Sequence, residues 1–202
     1  MINNFQDIIN FRHACKIFDE TKKIPENILT QILEDTILTP SSFGIEGWKF
    51  LVIQDQNLKE KLKPYCWNQP QITTCSDLVV LLFRKNMKSD DRYVLTSLKR
   101  RKYFEKSLEK YKEFIDYRSQ KDIECWSKAQ TYIASAFLML SAASFEIDSC
   151  PIEGFDYNKI YELLDFDKEN YDISYLIALG YRIKPQQKRD RRSFDELIEF
   201  IR

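Results

Sequence analysis

The chain is 202 residues long, 44% of it hydrophobic, and its 31 basic and 31 acidic residues balance to a formal net charge of zero. That is enough apolar material for one sizeable core, so a single domain over 1–202 is expected. The balance excludes a general attraction for nucleic acid or anionic membranes, and any anion site must come from local clustering. Five cysteines without a Cys-x-x-Cys pair, and a single histidine, argue against a disulfide framework, a zinc cluster and most histidine-based metal sites.

The N-terminal residues carry neither the basic region nor the apolar run of a signal peptide, and a cytoplasmic location is expected. Phe5, Ile8, Ile9 and Phe11 are at helical spacing and predict a short amphipathic helix. It leads into Arg12-His13-Ala14-Cys15-Lys16, a local basic pair in a neutral protein. Pro25 and Glu26 start a second helix whose inward stripe reads Ile28, Leu29, Ile32, Leu33 and Ile37, and Pro40 stops it. The loop from Thr39 to Trp48 is hydroxyl-rich and glycine-bearing, suited to hydrogen bonding a ligand and equally to an ordinary connection. Residues 49–53 read as a strand, 59–65 as a short helix, and Trp67-Asn68-Gln69-Pro70-Gln71 as a cluster of side-chain amides.

The uninterrupted apolar run 78–83 is expected to be a central strand covered on both faces. Between 90 and 121 charge dominates, yet Val94, Leu98, Phe104, Leu108, Tyr111 and Ile115 share one helical stripe, predicting exposed helices docked along one face. In that segment the run Lys99-Arg100-Arg101-Lys102 is followed by Glu105, Glu109 and Glu113, which weakens a nucleic-acid reading. Residues 129–145 hold no charge, no Gly and no Pro, and they predict a central helix, entered near Ile123, with apolar residues on every side and no solvent face. A chain of this size cannot easily surround such a helix alone, so a second subunit is inferred to supply one wall. Polar residues within the stretch and its short length argue against a membrane span.

Next, Ser149-Cys150-Pro151-Ile152-Glu153-Gly154-Phe155-Asp156 reads as a turn whose backbone N–H groups can face a flat ligand. Residues 159–164 predict a helix and 175–180 a second buried strand. Lys188-Arg189-Asp190-Arg191-Arg192 is the strongest basic cluster, and a terminal helix with Leu197, Ile198 and Ile201 follows. From the residues alone, two distant basic clusters, two ligand-suited loops and one backbone turn point to a phosphorylated planar ligand.

The order Arg12-His13-x-x-Lys16, Pro40-Ser41-Ser42 with Trp48, Pro151-Ile152-Glu153-Gly154-Phe155-Asp156, Ala178-Leu179-Gly180-Tyr181-Arg182 and a late basic cluster resembles the FMN-dependent nitroreductase family over nearly the whole chain. The likeness extends to its oxygen-insensitive NAD(P)H nitroreductases, epsilon-proteobacterial members among them. The resemblance implies an α+β fold with a mostly antiparallel central sheet flanked by helices, an intertwined homodimer, and FMN at the subunit interface. It implies that Arg12, His13, Arg189 and Arg191 hold the phosphate and ribityl chain, with Ala14 beside them, because a guanidinium fork matches a phosphate dianion. Lys16 would lie along the ribityl chain or near the N1/O2 edge of the ring. Pro40, Ser41, Ser42 and Gly44 would come from the partner subunit. Asn68 and Gln71 would meet the ring's polar edge, Pro151 and Ile152 would also contact the cofactor, and the backbone of Glu153 and Gly154 would face N5. Gln71 stands where many relatives carry Lys, which implies a lower flavin potential.

The implied chemistry is a ping-pong hydride transfer from NADH or NADPH, through the flavin, to nitroaromatics, quinones or similar planar acceptors. Trp67, Tyr93, Tyr103 and Phe104 are candidates for shaping the acceptor slot, and 90–121 for a lid. Alternatives within the superfamily are reductive dehalogenation and flavin destruction; outside catalysis, the alternative is a dimer that stores flavin. Cys150 is read as a small buried residue rather than a redox thiol.

Overall fold

A computed structural model describes every residue except Asn3 and Arg101, so the 99–102 basic run is described only in part. In chain order the elements are α1 (Phe5–Phe11), α2 (Glu26–Ile37), β1 (Trp48–Ile53), α3 (Gln56–Leu62), α4 (Gln71–Thr74), β2 (Asp77–Arg84), α5 (Arg92–Lys99) and α6 (Phe104–Ile115). They continue with α7 (Gln120–Ser144), β3 (Asp148–Ile152), α8 (Tyr157–Leu163), β4 (Tyr171–Gly180) and α9 (Phe194–Leu197). Short 3₁₀ turns at Ser42–Gly44 and Lys63–Cys66 complete the connections.

The strands form one four-stranded sheet in the order β1-β2-β4-β3, every neighbouring pair antiparallel. Strand β2 is buried along its whole length because helices cover both faces of the sheet. Leu78, Val80 and Leu82 pack with Leu62, Ile72 and Ile160 on one side, while Val79 and Leu81 pack with Leu29, Ile32, Leu138 and Ala142 on the other. A strand sandwiched in this way has no polar face to write into the sequence, which is why its run is continuous rather than alternating. Strand β4 carries a bulge opposite Leu81 and Leu82, where the register passes from Tyr175 to Ile173. The extra residue, Ser174, is buried, and its hydroxyl lies 2.7 Å from that of Thr131 on α7.

Helix α7 begins at its N-cap Ser119, whose hydroxyl accepts from the Asp122 amide, several residues before the expected entry near Ile123. Its inner side, including Thr131, Ala134, Leu138 and Ala142, is buried. The expectation of a helix with no solvent face needs correction at the level of one chain. Tyr132, Ile133 and Phe137 are 42, 41 and 40% exposed, along the same face as exposed Ala129 and Ala136.

Four other expectations are corrected. Residues 148–152 are strand β3 rather than part of a turn. Pro151 is tolerated there because β3 pairs with β4 alone among the named strands, and a residue without an N–H fits an edge. On α2, Ile37 is 58% exposed; Thr36 takes the inward place instead, its hydroxyl bonded to the Ile32 carbonyl at 2.7 Å. Helix α1 buries none of its residues, and Phe5 is exposed. The predicted terminal helix is the single turn α9, held by a Ser193–Glu196 capping box, with Leu197, Ile198 and Ile201 all exposed.

The charged segment folds as α5 and α6. Val94, Leu98, Tyr111 and Ile115 are fully buried, and the Tyr111 hydroxyl donates to the Met87 carbonyl at 2.6 Å. Among the described residues, no helix is long and apolar enough to cross a membrane.

Lys59 is fully buried, its ammonium donating to the carbonyls of Cys75 (2.8 Å) and Ser76 (3.2 Å), where the chain leaves α4 for β2. Burial lowers its pKa. Lys59→Met keeps the apolar stem and removes the donors, leaving two interior acceptors unmet. It is expected to lower the unfolding free energy by about 2–3 kcal/mol, read as an earlier urea midpoint with unchanged m-value.

Candidate functional site

The two basic clusters, separated in sequence by most of the chain, line one cavity of about 470 Å³. Its walls are residues 12–17, just after α1, and residues 184–191, after β4. The volume falls in the range of roughly 300–1,000 Å³ usual for small-molecule sites. Asp148 organises the approach of the two segments. It is 3% exposed, and its Oδ2 accepts from both the backbone N–H and Nε of Arg182 at 2.9 Å, while Oδ1 lies 2.7 Å from Arg182 Nη2. Arg182 also donates to the Phe11 carbonyl at the end of α1 and stacks over the Phe11 ring at 4.1 Å. Arg189 then reaches back to the carbonyls of Ile9 at 2.8 Å and Arg12 at 2.5 Å. Cations at a helix C-terminus satisfy carbonyls that the helix leaves open.

The Arg12 guanidinium is left without a hydrogen bond or ion pair among the described residues, although its backbone is bonded to Ile8 and Arg189. Burial, and then repulsion from Arg189 and Arg191, pushes its pKa below the ordinary value. His13 lies with Nδ1 3.4 Å from Asp148 Oδ1, without hydrogen-bond geometry. Burial first, then Arg182, lowers the His13 pKa against the pull of Asp148, so the imidazole is neutral near pH 7. Ser149, bridged to Ala14 in a short parallel pairing, has a buried hydroxyl with no partner among the described residues. An uncompensated guanidinium crowded by two others, beside orphaned buried polar atoms, is the electrostatic complement of a phosphate dianion. These residues fit the tail of FMN.

Lys16, also on the cavity wall, places its ammonium 3.5 Å from Cys150 Sγ on β3, and the Gln71 side-chain amide donates to the same sulfur at 3.8 Å. Burial raises the Cys150 pKa, with Lys16 and Gln71 opposing it, so the group is a thiol lodged in the core rather than a nucleophile. Beyond β3 the chain turns at residues 153–156, closed by the Phe155 amide on the Glu153 carbonyl and by the Asp156 amide on the Tyr65 carbonyl. The N–H groups of Glu153 and Gly154 have no partner among the described residues, as a turn that addresses a ligand requires. Ile152 itself buries its side chain in the core, and only its backbone is available. Exposed Pro151 presents its ring outward.

Trp67 stands directly over the turn. A Cβ on Gly154 would come within 2.6 Å of its ring, so the close approach depends on glycine. Trp67 is 74% exposed, and Asn68 beside it is exposed and makes no side-chain bond among the described residues. Both have positive φ, presenting their side chains outward.

Pro40, Ser41 and Gly44 lie elsewhere in the chain, lining a second cavity of about 650 Å³ together with Lys102 and Tyr103. The loop is fixed from within. The Ser41 hydroxyl accepts from the Glu46 amide at 2.9 Å, the Ser42 amide donates to Gln130 Oε1 on α7 at 2.9 Å, and Gly44 takes a left-handed φ of 60°. Of the aromatic candidates for an acceptor slot, Tyr93 bonds the Glu46 carbonyl and stacks on Arg84, and Phe104 packs in the α5–α6 cluster. Trp67 and Tyr103 remain open to ligands.

Sequence reasoning missed Asp148 and Tyr132. The Tyr132 hydroxyl, on α7, donates to the Glu153 carboxylate, and its ring stacks on Tyr175 at 4.7 Å. Neither carries a local signal, since each acts on a partner that only the fold supplies.

The chain is 42% identical over 206 residues to "Putative NAD(P)H nitroreductase" of Staphylococcus haemolyticus, covering 95% of this chain and 94% of that one. It is 36% identical over 212 residues to "Putative NAD(P)H nitroreductase YfkO" of Bacillus subtilis, covering 96% of each. In structure it is similar to a nitroreductase-like protein of Streptococcus mutans, with a TM-score of 0.86, 22% identity and 98% of each chain covered. It is also similar to the "putative nitroreductase in complex with FMN" of Exiguobacterium sibiricum, with a TM-score of 0.84, 21% identity, and 99% of this chain and 98% of that one covered. A sequence model described as "Nitroreductase family" matches residues 9–181, and the chain belongs to the nitroreductase family.

Proposed function

We propose that this protein is an FMN-dependent NAD(P)H oxidoreductase that reduces planar acceptors such as nitroaromatics and quinones. The observation that carries the reading is the convergence of Arg12, Arg189 and Arg191 on one cavity, with the Arg12 guanidinium unpaired among the described residues. Names of the relatives supply the nicotinamide donor, and the Exiguobacterium complex supplies the flavin. FMN, held by these residues, would supply the hydride-transfer chemistry between NADH or NADPH and the acceptor.

The chain's own residues bind and orient. Arg12 and Arg191 hold the phosphate, while Arg189 braces the end of α1 that carries Arg12. Lys16 holds a positive charge beside Cys150, suited to the ring edge that gains negative charge on reduction. Glu153 and Gly154 aim their free N–H groups at the reactive edge, and Trp67, Asn68 and Gln71 border the ring. No protein acid or base is required.

The exposed apolar face of α7 is completed by a second copy of the chain, forming a homodimer. That arrangement also accounts for Pro40, Ser41, Ser42 and Gly44 standing apart from the basic cavity, because they serve the partner's flavin. Helices α5 and α6, which border the same loop, cover the acceptor as a lid.

Three outcomes are expected. The purified protein is yellow, either NADH or NADPH bleaches it without oxygen, and a nitrofuran or menadione restores the colour; a colour that neither nucleotide alters would mean storage instead. Arg12→Ala, removing one charge-assisted contact, raises the FMN Kd by about 10- to 100-fold in a fluorescence titration, and an unchanged Kd would refute the phosphate assignment. Ile133→Lys combined with Phe137→Lys halves the mass measured by light scattering and abolishes FMN retention. A variant of undiminished mass would place the dimer seam elsewhere.

A further inference from the structure

Gly154 poses a mechanical problem at the turn. Trp67 leaves no room for a Cβ there, yet glycine lets the peptides on either side of it rotate freely. Something must hold the turn in one orientation if the N–H groups of Glu153 and Gly154 are to point anywhere in particular. Gln69 is placed to do it. Its Nε2 donates to the Gly154 carbonyl at 2.8 Å and to the Cys66 carbonyl at 3.0 Å.

Two carbonyl acceptors can be met only by the NH₂ end of the amide, so the orientation of Gln69 is dictated by backbone chemistry. Its Oε1 then faces Gln71 and accepts from Gln71 Nε2 at 2.8 Å. Gln71 is 2% exposed and cannot swing away, and its NH₂ also meets Cys150 Sγ, the sulfur that Lys16 contacts. A run of hydrogen bonds thus links the cavity wall to the carbonyl of Gly154: Lys16 and Gln71 both donate to the Cys150 sulfur, Gln71 donates onward to Gln69, and Gln69 to Gly154. The Gly154 carbonyl and the Phe155 N–H share one peptide, and that N–H donates to the Glu153 carbonyl, so a clamp on the Gly154 carbonyl is passed to the neighbouring peptide that carries the Gly154 N–H. Asp156 is anchored to Tyr65 through its backbone, and Glu153 to Tyr132 through its side chain.

We infer that Gln69 is a positioning residue for hydride transfer: by clamping the Gly154 carbonyl it fixes the direction of the turn's N–H groups at the reactive edge of the flavin, with Gln71 locking Gln69. The inference rests on the flavin reading above. It predicts that Gln69→Glu, of equal size but presenting oxygens to two carbonyls, slows the chemistry without dismantling the site, because the phosphate cluster and the Asp156–Tyr65 tie are untouched. Gln69→Met removes the donors without adding charge.

The test is stopped-flow reduction of the FMN-loaded protein by saturating NADH or NADPH, alongside FMN Kd, urea midpoint and the flavin midpoint potential. The expected result is a reduction rate constant at least about tenfold lower and a displaced potential in both variants, with FMN Kd within about twofold and the urea midpoint close to the parent's. Rates equal to the parent's overturn the inference, as does a loss of rate that merely tracks loss of FMN or of folding in both variants. A parent protein that binds FMN but shows no Gln69 effect sinks this inference alone, whereas a parent that binds no FMN sinks the functional reading and this inference with it.

Discussion

A single buried carboxylate holds the candidate site together. Asp148 starts β3, and its oxygens take the backbone and guanidinium of Arg182, which follows β4, while Arg182 reaches on to the last turn of α1. Three segments far apart in sequence meet at that ion pair. A buried pair of this kind contributes little net stability but is costly to break, since either partner alone would be an uncompensated interior charge. Its effect here is geometric. It brings residues 12–17 against residues 184–191, and the cavity between them exists because those two stretches cannot drift apart.

Charge at the site is layered by this arrangement. The inner cation, Arg182, is neutralised by Asp148, and Arg189 is spent on helix carbonyls. Arg12 lines the cavity with its guanidinium unpaired among the described residues, which gives a protein of zero net charge a sharply local positive potential. On the other side of β3, neutral amides take over, so the site changes from guanidinium to amide chemistry across the width of one strand.

Much of this was legible in the residues, and the failures have physical causes. The run 78–83 announces a doubly covered strand because every residue in it is apolar, and 129–145 announces a central helix because it holds no charge, no Gly and no Pro. Residues 149–152 read as part of a turn because Pro151 and Gly154 are turn formers, whereas an edge strand accepts Pro151 where no N–H is needed. Spacing alone points Ile37 inward; Thr36 takes that place because its hydroxyl is satisfied within the helix. The apolar residues of α9 and the outer face of α7 follow the rules of burial, but the surface that would bury them is not within one chain. The amides at 68–71 were visible as a cluster. The use of Gln69 was not, because its acceptor lies 85 residues away and depends on the fold to arrive.

The bulge at Ser174 divides β4 into two pieces of independent parity. Ile173 faces the α3–α8 side, and Tyr175, two residues on, faces α7, with Ser174 also turned toward Thr131. A regular strand would transmit any insertion or deletion near Tyr171 along its whole length, turning every later side chain over. With the extra residue taken up at the bulge, the half of β4 that starts at Tyr171 and the half that ends at Gly180 each keep their own inward side chains against β2.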